Sequence, residues 1–323
     1  MDTEVAIEVE DLCKTYGRSA QSVEAVRGIS LKIKKGELFG FLGPNGAGKT
    51  TSLKMMIGLL NPTRGKVLIL GKNPKEKKNA SELKRKIGII PQDITVYEDL
   101  TVEENMWFMA KIYRLSMDNA RERIENLINR IGLEEKRKAL ARNLSGGQKR
   151  RLNLIMSIIH DPEIILCDEP TPGLDPQSSV KVWEFIKDLT KREKRTVVLT
   201  THLMEEADRL SDRVAIIDKG KILVIDTPAK LKASIGEGDL LEIVINNKDK
   251  LDEAKEDLSK FKGVQEVIIT NDRLIVRCLD AVSKMATLLN TVENIGVEIE
   301  HLGMRNTTLE DVFIHLTGKT LRE

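Results

Sequence analysis

The chain has 323 residues, enough for two domains and too many for one ordinary core. Hydrophobic residues make up 41% and charged residues 32%, a globular composition, and a net charge of +2 lacks the strong basic footprint of a general nucleic-acid binder. Cys13, Cys167 and Cys278 are odd in number and far apart, which suits a reducing compartment and excludes a disulfide framework or a zinc spacing.

The acidic start "MDTEVAIEVEDL" lacks the basic-then-apolar layout of a signal peptide, and no run approaches the roughly 20 apolar residues that span a bilayer. Val5, Ile7 and Val9, then Ile29, Leu31 and Ile33, alternate as strands do. "ELFGFLG" (37–43) reads as a buried strand running into a glycine loop. Leu53, Met56, Ile57 and Leu60 then mark one helix face, ended by Asn61-Pro62, and "KVLILG" (66–71) is another strand. The basic clusters Lys72 to Lys86 and Lys149-Arg150-Arg151 read as solvated faces.

Residues 101–160 read as helical. Thr101 and Glu104 form a capping box, Ala120, Ile124, Leu127, Ile128 and Ile131 a stripe stopped by Gly132, and Leu152, Ile155, Met156 and Ile159 a second stripe. Strands at 163–168 and 196–201, helices marked by Val182, Phe185, Ile186 and Leu189 and by 202–210, and a hairpin turning at Lys219-Gly220 follow. Such alternation predicts an α/β fold, a parallel sheet flanked by helices. Beyond Ile235 the order is strand 240–246, helix 248–260, strand 264–270, a turn at Asn271-Asp272, strand 273–279, helix 280–294 and strand 297–302. That βαββαβ order predicts a small α+β domain of split-βαβ type, with a final helix near Thr308 carrying Leu309, Val312, Phe313 and Leu316.

Gly43-Pro44-Asn45-Gly46-Ala47-Gly48-Lys49-Thr50-Thr51 fits G-x-x-x-x-G-K-[ST] between a strand and a helix, as a phosphate-binding loop requires. Its glycines let backbone N–H groups curl round an anion, and the helix adds its dipole. Lys49 is placed for the β- and γ-phosphates and Thr50 for Mg²⁺. "IILCDEP" (164–170) is an apolar strand ending in two carboxylates, Asp168 for Mg²⁺ and Glu169 to orient or deprotonate the attacking water. "LSGGQKRR" (144–151) is a serine cap and two glycines opening a helix, a second seat for phosphate.

LSGGQ, "CDEP" (167–170) and "GLDP" (173–176) resemble the nucleotide-binding subunit of an ABC transporter, over about residues 5–225. The resemblance implies a P-loop ABC ATPase domain over 1–236, with an antiparallel β subdomain and a helical subdomain at about 93–160, followed by an accessory domain over 237–323. It implies ATP and Mg²⁺ as cofactors. It assigns Tyr16 to adenine stacking, Gln92 to Mg²⁺ and water, His202 to the γ-phosphate, and Asp175 to a loop that touches the opposite site. It also explains the second seat: Ser145, Gly146, Gly147 and Gln148 cover the γ-phosphate held by another copy, in a head-to-tail homodimer sandwiching two ATP molecules. Cys167, Pro172, Arg150 and Arg151 depart from the family pattern, and none is expected to touch a catalytic position.

"NTTLEDVFIHLTG" (306–318) and "VYEDLTVEENMWFMAKIYRL" (96–115) resemble the subfamily that energises ABC-2-type exporters. This implies a separate integral membrane permease, no nucleic-acid partner, and a cytoplasmic location on the inner face of the membrane. Tyr97, Glu98 and Asp99 are expected to contact the permease, while Trp107, Phe108 and Tyr113 pack on a helix. The alternative is an ABC ATPase acting on ribosomes or nucleic acid. Such proteins usually carry two modules or long coiled coils, and this chain has one set of motifs and no sustained heptads. The C-terminal domain could also regulate, by sensing a ligand or supporting the dimer.

Overall fold

The computed structural model describes residues 5–17, 22–235, 239–270, 272–279 and 281–318. The chain divides into two compact units, Met1–Thr227 and Pro228–Glu323.

In the first unit, β1 (Val5–Tyr16) and β2 (Val23–Lys34) precede β3 (Leu38–Leu42), which leads into α1 (Lys49–Met56). β4 (Arg64–Ile69), α2 (Lys77–Lys86) and β5 (Ile87–Ile90) follow. Three helices come next, α3 (Val102–Ile112), α4 (Met117–Arg130) and α5 (Gly146–Ile158). The unit closes with β6 (Ile164–Asp168), α6 (Pro176–Lys191), β7 (Thr196–Thr201), α7 (Met204–Leu210), β8 (Arg213–Asp218) and β9 (Lys221–Asp226).

β2, β1 and β4 form an antiparallel sheet in that order. The larger sheet runs β5-β6-β7-β3-β8-β9, parallel except for β9. All residues of β3, β6 and β7 are buried, which is why β3 and the first four residues of β6 read as unbroken apolar runs. Leu38 faces a core shared with α3 to α6, while Phe39 and Phe41 face one shared with α1 and the antiparallel sheet. Leu42 pairs with Thr201 and Asp168 with Thr200. Three strands therefore end together at the carboxyl edge, where parallel sheets hold their ligands.

The Thr101–Glu104 capping box is present, and the α4 stripe ends at Gly132, whose φ is +65°. The β8–β9 hairpin turns at Lys219 and Gly220, both at positive φ. α1 stops at Met56, before the expected Asn61-Pro62, because Gly58 takes φ +74° and donates its N–H to the Met55 carbonyl (3.1 Å).

The second unit opens with α8 (Pro228–Ser234) and continues through β10 (Asp239–Ile245), α9 (Leu251–Ser259), β11 (Val264–Thr270), β12 (Arg273–Cys278), α10 (Ala281–Glu293), β13 (Ile299–Arg305) and α11 (Leu309–Thr317). Its sheet is antiparallel in the order β11-β12-β10-β13, a split βαβ arrangement with its own core of Leu241, Ile243, Leu258, Leu274 and Leu288. Asn271, half of the expected turn, lies outside the described residues. The division falls earlier than the expected 236/237 because α8 packs on α11. No helix among the described residues is long and apolar enough to cross a membrane.

Candidate functional site

The site lies where the loop after β3 meets the ends of β6 and β7. Gly48 is the N-cap of α1 at φ +98°, and a Cβ there would lie 2.4 Å from the Ala25 carbonyl oxygen, so only glycine fits. Asn45 and Gly46 form the exposed lip, and Ala47 is buried beneath. The first turn of α1 leaves the amides of Lys49, Thr50 and Thr51 without helical partners, ready for an anion.

Lys49 is 4% exposed. Its ammonium donates to the carbonyls of Gly43 (2.8 Å) and Pro44 (3.1 Å) and lies 3.4 Å from Glu169 Oε1. Burial pulls its pKa below the usual lysine value, and the Glu169 charge opposes that pull. Thr50 Oγ1 donates to Asp168 Oδ1 (2.9 Å), as does Thr200 Oγ1 (2.5 Å).

Glu169 stands at φ +47°, a left-handed conformation that costs about 1–3 kcal/mol outside glycine. Its N–H donates to the Thr200 carbonyl (3.0 Å), and its second carboxylate oxygen lies 3.3 Å from His202 Nδ1, without hydrogen-bond alignment. The Leu203 N–H bonds back to Thr201 Oγ1 (2.9 Å), forming the turn that carries His202 off β7. Lys49, Thr50, Asp168, Glu169 and His202, far apart in sequence, thus meet at one point. Asp168 and Thr50 supply oxygen donors at one place, a set that suits Mg²⁺, which takes one or two carboxylates and fills its shell with phosphate and water.

The remaining expected residues make contacts of their own. Tyr16 ends β1, is 43% exposed as a residue, and has Lys14 Nζ 5.2 Å from its ring centroid. The Gln92 side chain is exposed, and its backbone carbonyl accepts from Arg150 Nη1 (3.2 Å). Ser145 and Gln148 form a capping box, with Gln148 N–H on Ser145 Oγ (3.3 Å) and Ser145 N–H on Gln148 Oε1 (2.9 Å). A Cβ on Gly146 would meet nothing within 4 Å, whereas one on Gly147 would lie 2.1 Å from Ser178 Oγ. Gly147 therefore has a packing reason within its own chain. Asp175 caps α6 through the Ser178 N–H (2.9 Å), and the Ser178 hydroxyl together with that N–H holds its carboxyl below the usual range.

Tyr97 is exposed and meets Phe108 edge-on (4.4 Å), Glu98 pairs with Lys149 (2.5 Å) and Asp99 with Arg142 (3.1 Å). Trp107 and Tyr113 pack against the helical core, as expected, while Phe108 is 37% exposed.

Two sequence expectations fail at Arg150 and Arg151. Instead of lining a solvated face, they are 2% and 7% exposed. α5 is buried nearly all round, so Leu154 and Ile158 add a second apolar stripe to the one expected. Arg150 does touch a catalytic candidate: its guanidinium donates to the backbone carbonyl of Glu169 (3.0 Å). Burial lowers its pKa from the usual guanidinium value, and it stays charged. Glu206 is a second residue that sequence reasoning missed. Buried in α7, it accepts from Thr171 Oγ1 (2.6 Å) and Trp183 Nε1 (2.9 Å), and burial pushes its carboxyl up. Its place on the Ala207–Leu210 face of the helix was the available signal.

A strand, a glycine loop with its lysine opening a helix, and a carboxylate at the end of a neighbouring strand define a P-loop nucleoside triphosphatase. The ABC transporter family matches residues 26–172, and the C-terminal domain of DrrA1-3-like ATP-binding proteins matches residues 227–317. The linearmycin resistance ATP-binding protein LnrL of Bacillus subtilis is 34% identical over 98% of this chain and 100% of its own. A Nod factor export ATP-binding protein I of Burkholderia orbicola is 36% identical over 98% of both chains. Among solved structures, a dimeric cassette, MJ0796, in a post-hydrolysis state with ADP and Pi has a TM-score of 0.62 at 28% identity, covering 68% of this chain and 98% of that one. CbiO1 of Clostridium perfringens, part of a transporter complex, has a TM-score of 0.65 at 28% identity, covering 72% and 92%. This chain belongs to the ABC transporter family, as an ATP-binding subunit that hydrolyses ATP.

Proposed function

We propose that the chain powers export through a separate integral membrane permease, by ATP-driven closure of a head-to-tail homodimer. What carries the proposal is the meeting of Lys49, Asp168, Glu169 and His202 at the strand ends. Lys49 exchanges the Glu169 carboxylate for the β- and γ-phosphate oxygens. Glu169 then orients the attacking water and takes its proton, and His202 contacts the γ-phosphate. Mg²⁺ held by Thr50 and Asp168, with Gln92 reaching it, would neutralise phosphate charge. Tyr16, an exposed residue, stacks on adenine.

Ser145 and Gly146, exposed at the start of α5, close over the γ-phosphate of the other copy, with Gly147 and Gln148 behind them and Asp175 in the neighbouring loop. ATP becomes part of the interface, and loss of its γ-phosphate opens the pair. The permease holds the chain on the inner face of the membrane and docks beside Tyr97, Glu98 and Asp99. Ile57, Leu59, Ile89, Ile112 and Tyr113, with Lys84, Arg85 and Arg114, line a cleft of about 560 Å³, a largely apolar surface that suits a permease helix. The residue 228–318 unit serves as an accessory domain that supports this assembly.

Glu169→Gln tests the proposal. It should keep ATP binding, lose turnover by at least about 10²-fold, and trap a dimer on size exclusion with ATP. A variant that stays monomeric at saturating ATP refutes the sandwich. Purification with rRNA or DNA in place of an integral membrane protein refutes the export role.

A further inference from the structure

Glu169 does its proposed work from a backbone conformation that a glutamate adopts only when its surroundings impose it. Its N–H side is pinned by β7, through the Thr200 carbonyl. Its carbonyl side is pinned by Arg150, whose Nη2 donates to Glu169 O (3.0 Å) and whose Nε donates to Pro170 O (2.6 Å). The other arm of the same guanidinium, Nη1, donates to Pro91 O (2.6 Å) and Gln92 O (3.2 Å). All four hydrogen bonds end on backbone carbonyls, two on the segment bearing the water-orienting carboxylate and two on the loop bearing Gln92.

We propose that Arg150 is a positioning residue for hydrolysis: its planar fork locks the Gln92 loop and the Glu169 turn to α5, so both residues are aimed from one rigid point. The inference rests on the roles proposed for Glu169 and Gln92. Arg150 sits little more than one turn beyond Ser145 on the same helix. The helix whose start covers the partner's phosphate therefore also sets the geometry of its own chain's reacting groups. A lysine substitutes only in part, because one ammonium offers three donors from a point and does not span carbonyls on two loops as a fork does. In the ATP seat itself, Lys49 and Thr50 keep partners that Arg150 does not touch, the Gly43 and Pro44 carbonyls and Asp168.

The test compares wild type, Arg150→Gln, Arg150→Lys and Glu169→Gln in steady-state ATP hydrolysis, with ATP affinity and thermal midpoint measured on the same samples. A misplacement of about 1 Å at a reacting group costs on the order of 10² in rate. Arg150→Gln is therefore expected to lower kcat by about 10- to 100-fold while KM and the ATP Kd stay within about threefold, with Arg150→Lys between it and wild type. Wild-type kcat in Arg150→Gln overturns the proposal. So does a fall in kcat matched by equal losses of ATP affinity and thermal midpoint, which marks a purely structural role. If Arg150→Gln does not fold, Arg150→Lys decides by the same criteria. If Glu169→Gln keeps its turnover, the carboxylate assignment fails. If Glu169→Gln is inactive while Arg150→Gln is fully active, the Arg150 inference alone fails.

Discussion

The ammonium of Lys49 and the carboxylate of Glu169 lie 3.4 Å apart at the carboxyl edge of the sheet, both nearly sealed from solvent. A buried charge that loses its partner is left uncompensated, so each group depends on the other until phosphate takes over the lysine.

Nucleotide should therefore stabilise Glu169→Gln more than it stabilises wild type. Without ATP the variant is expected to lose about 1–3 kcal/mol, because Lys49 keeps only its two carbonyl acceptors. Adding ATP restores a negative partner. Thermal scans with and without ATP check this, and equal midpoint shifts in the two proteins would show that carboxylate and phosphate do not compete for the lysine.

Asp168 separates a structural hydroxyl from a metal-facing one. Thr200→Val deletes a buried donor to its carboxylate and should cost about 1–3 kcal/mol in urea unfolding. Thr50 is only half-buried, so Thr50→Val should cost less stability and instead weaken ATP binding when magnesium is present. A Thr50→Val protein with wild-type magnesium dependence would remove that residue from the metal site.

Gly147→Ala places a methyl where Ser178 already stands, with Oγ at 2.1 Å and Cβ at 2.7 Å from the added carbon. Overpacking of this kind costs about 1–3 kcal/mol, and Ser178→Gly in the same chain should recover most of it. If the double variant is as unstable as Gly147→Ala alone, the close approach of Ser178 is not what demands glycine.

Asp311 makes the second unit sensitive to acid. Burial pushes its carboxyl up, but bonds from Arg305 (2.7 and 2.8 Å) and from Thr308 N–H (2.7 Å) outweigh this and hold its pKa below the usual range. The unfolded chain thus takes up the proton first as pH falls. The stabilisation is full above about pH 4 and disappears as pH drops through the folded value. Arg305 is about one-third exposed and screened, so the cap on α11 supplies much of the effect. Asp311→Asn should lose about 1–2 kcal/mol at pH 7 and flatten the slope of denaturant stability between pH 5 and pH 3. An unchanged slope would assign the acid sensitivity elsewhere.

Features that depend on neighbours in the chain are legible in the amino-acid sequence by itself. The β3–loop–α1 unit, the Thr101–Glu104 box, the Ser145 cap and the Lys219-Gly220 turn each follow from spacing and from what a glycine or hydroxyl does to its own backbone. The two carboxylates after β6 become plain once the phosphate loop upstream is read with them, because a bound triphosphate gives such a pair its use. The left-handed turn at Glu169, the Ser178 contact that makes Gly147 necessary, and the burial of Arg150 are decided only when the strands are ordered and α5 is enclosed. Periodicity reports which face of a helix is apolar, but it cannot report that a second layer covers the opposite face. An arginine in such a place looks solvated until the carbonyls that receive it, from loops 20 and about 60 residues away, are brought to it by the fold.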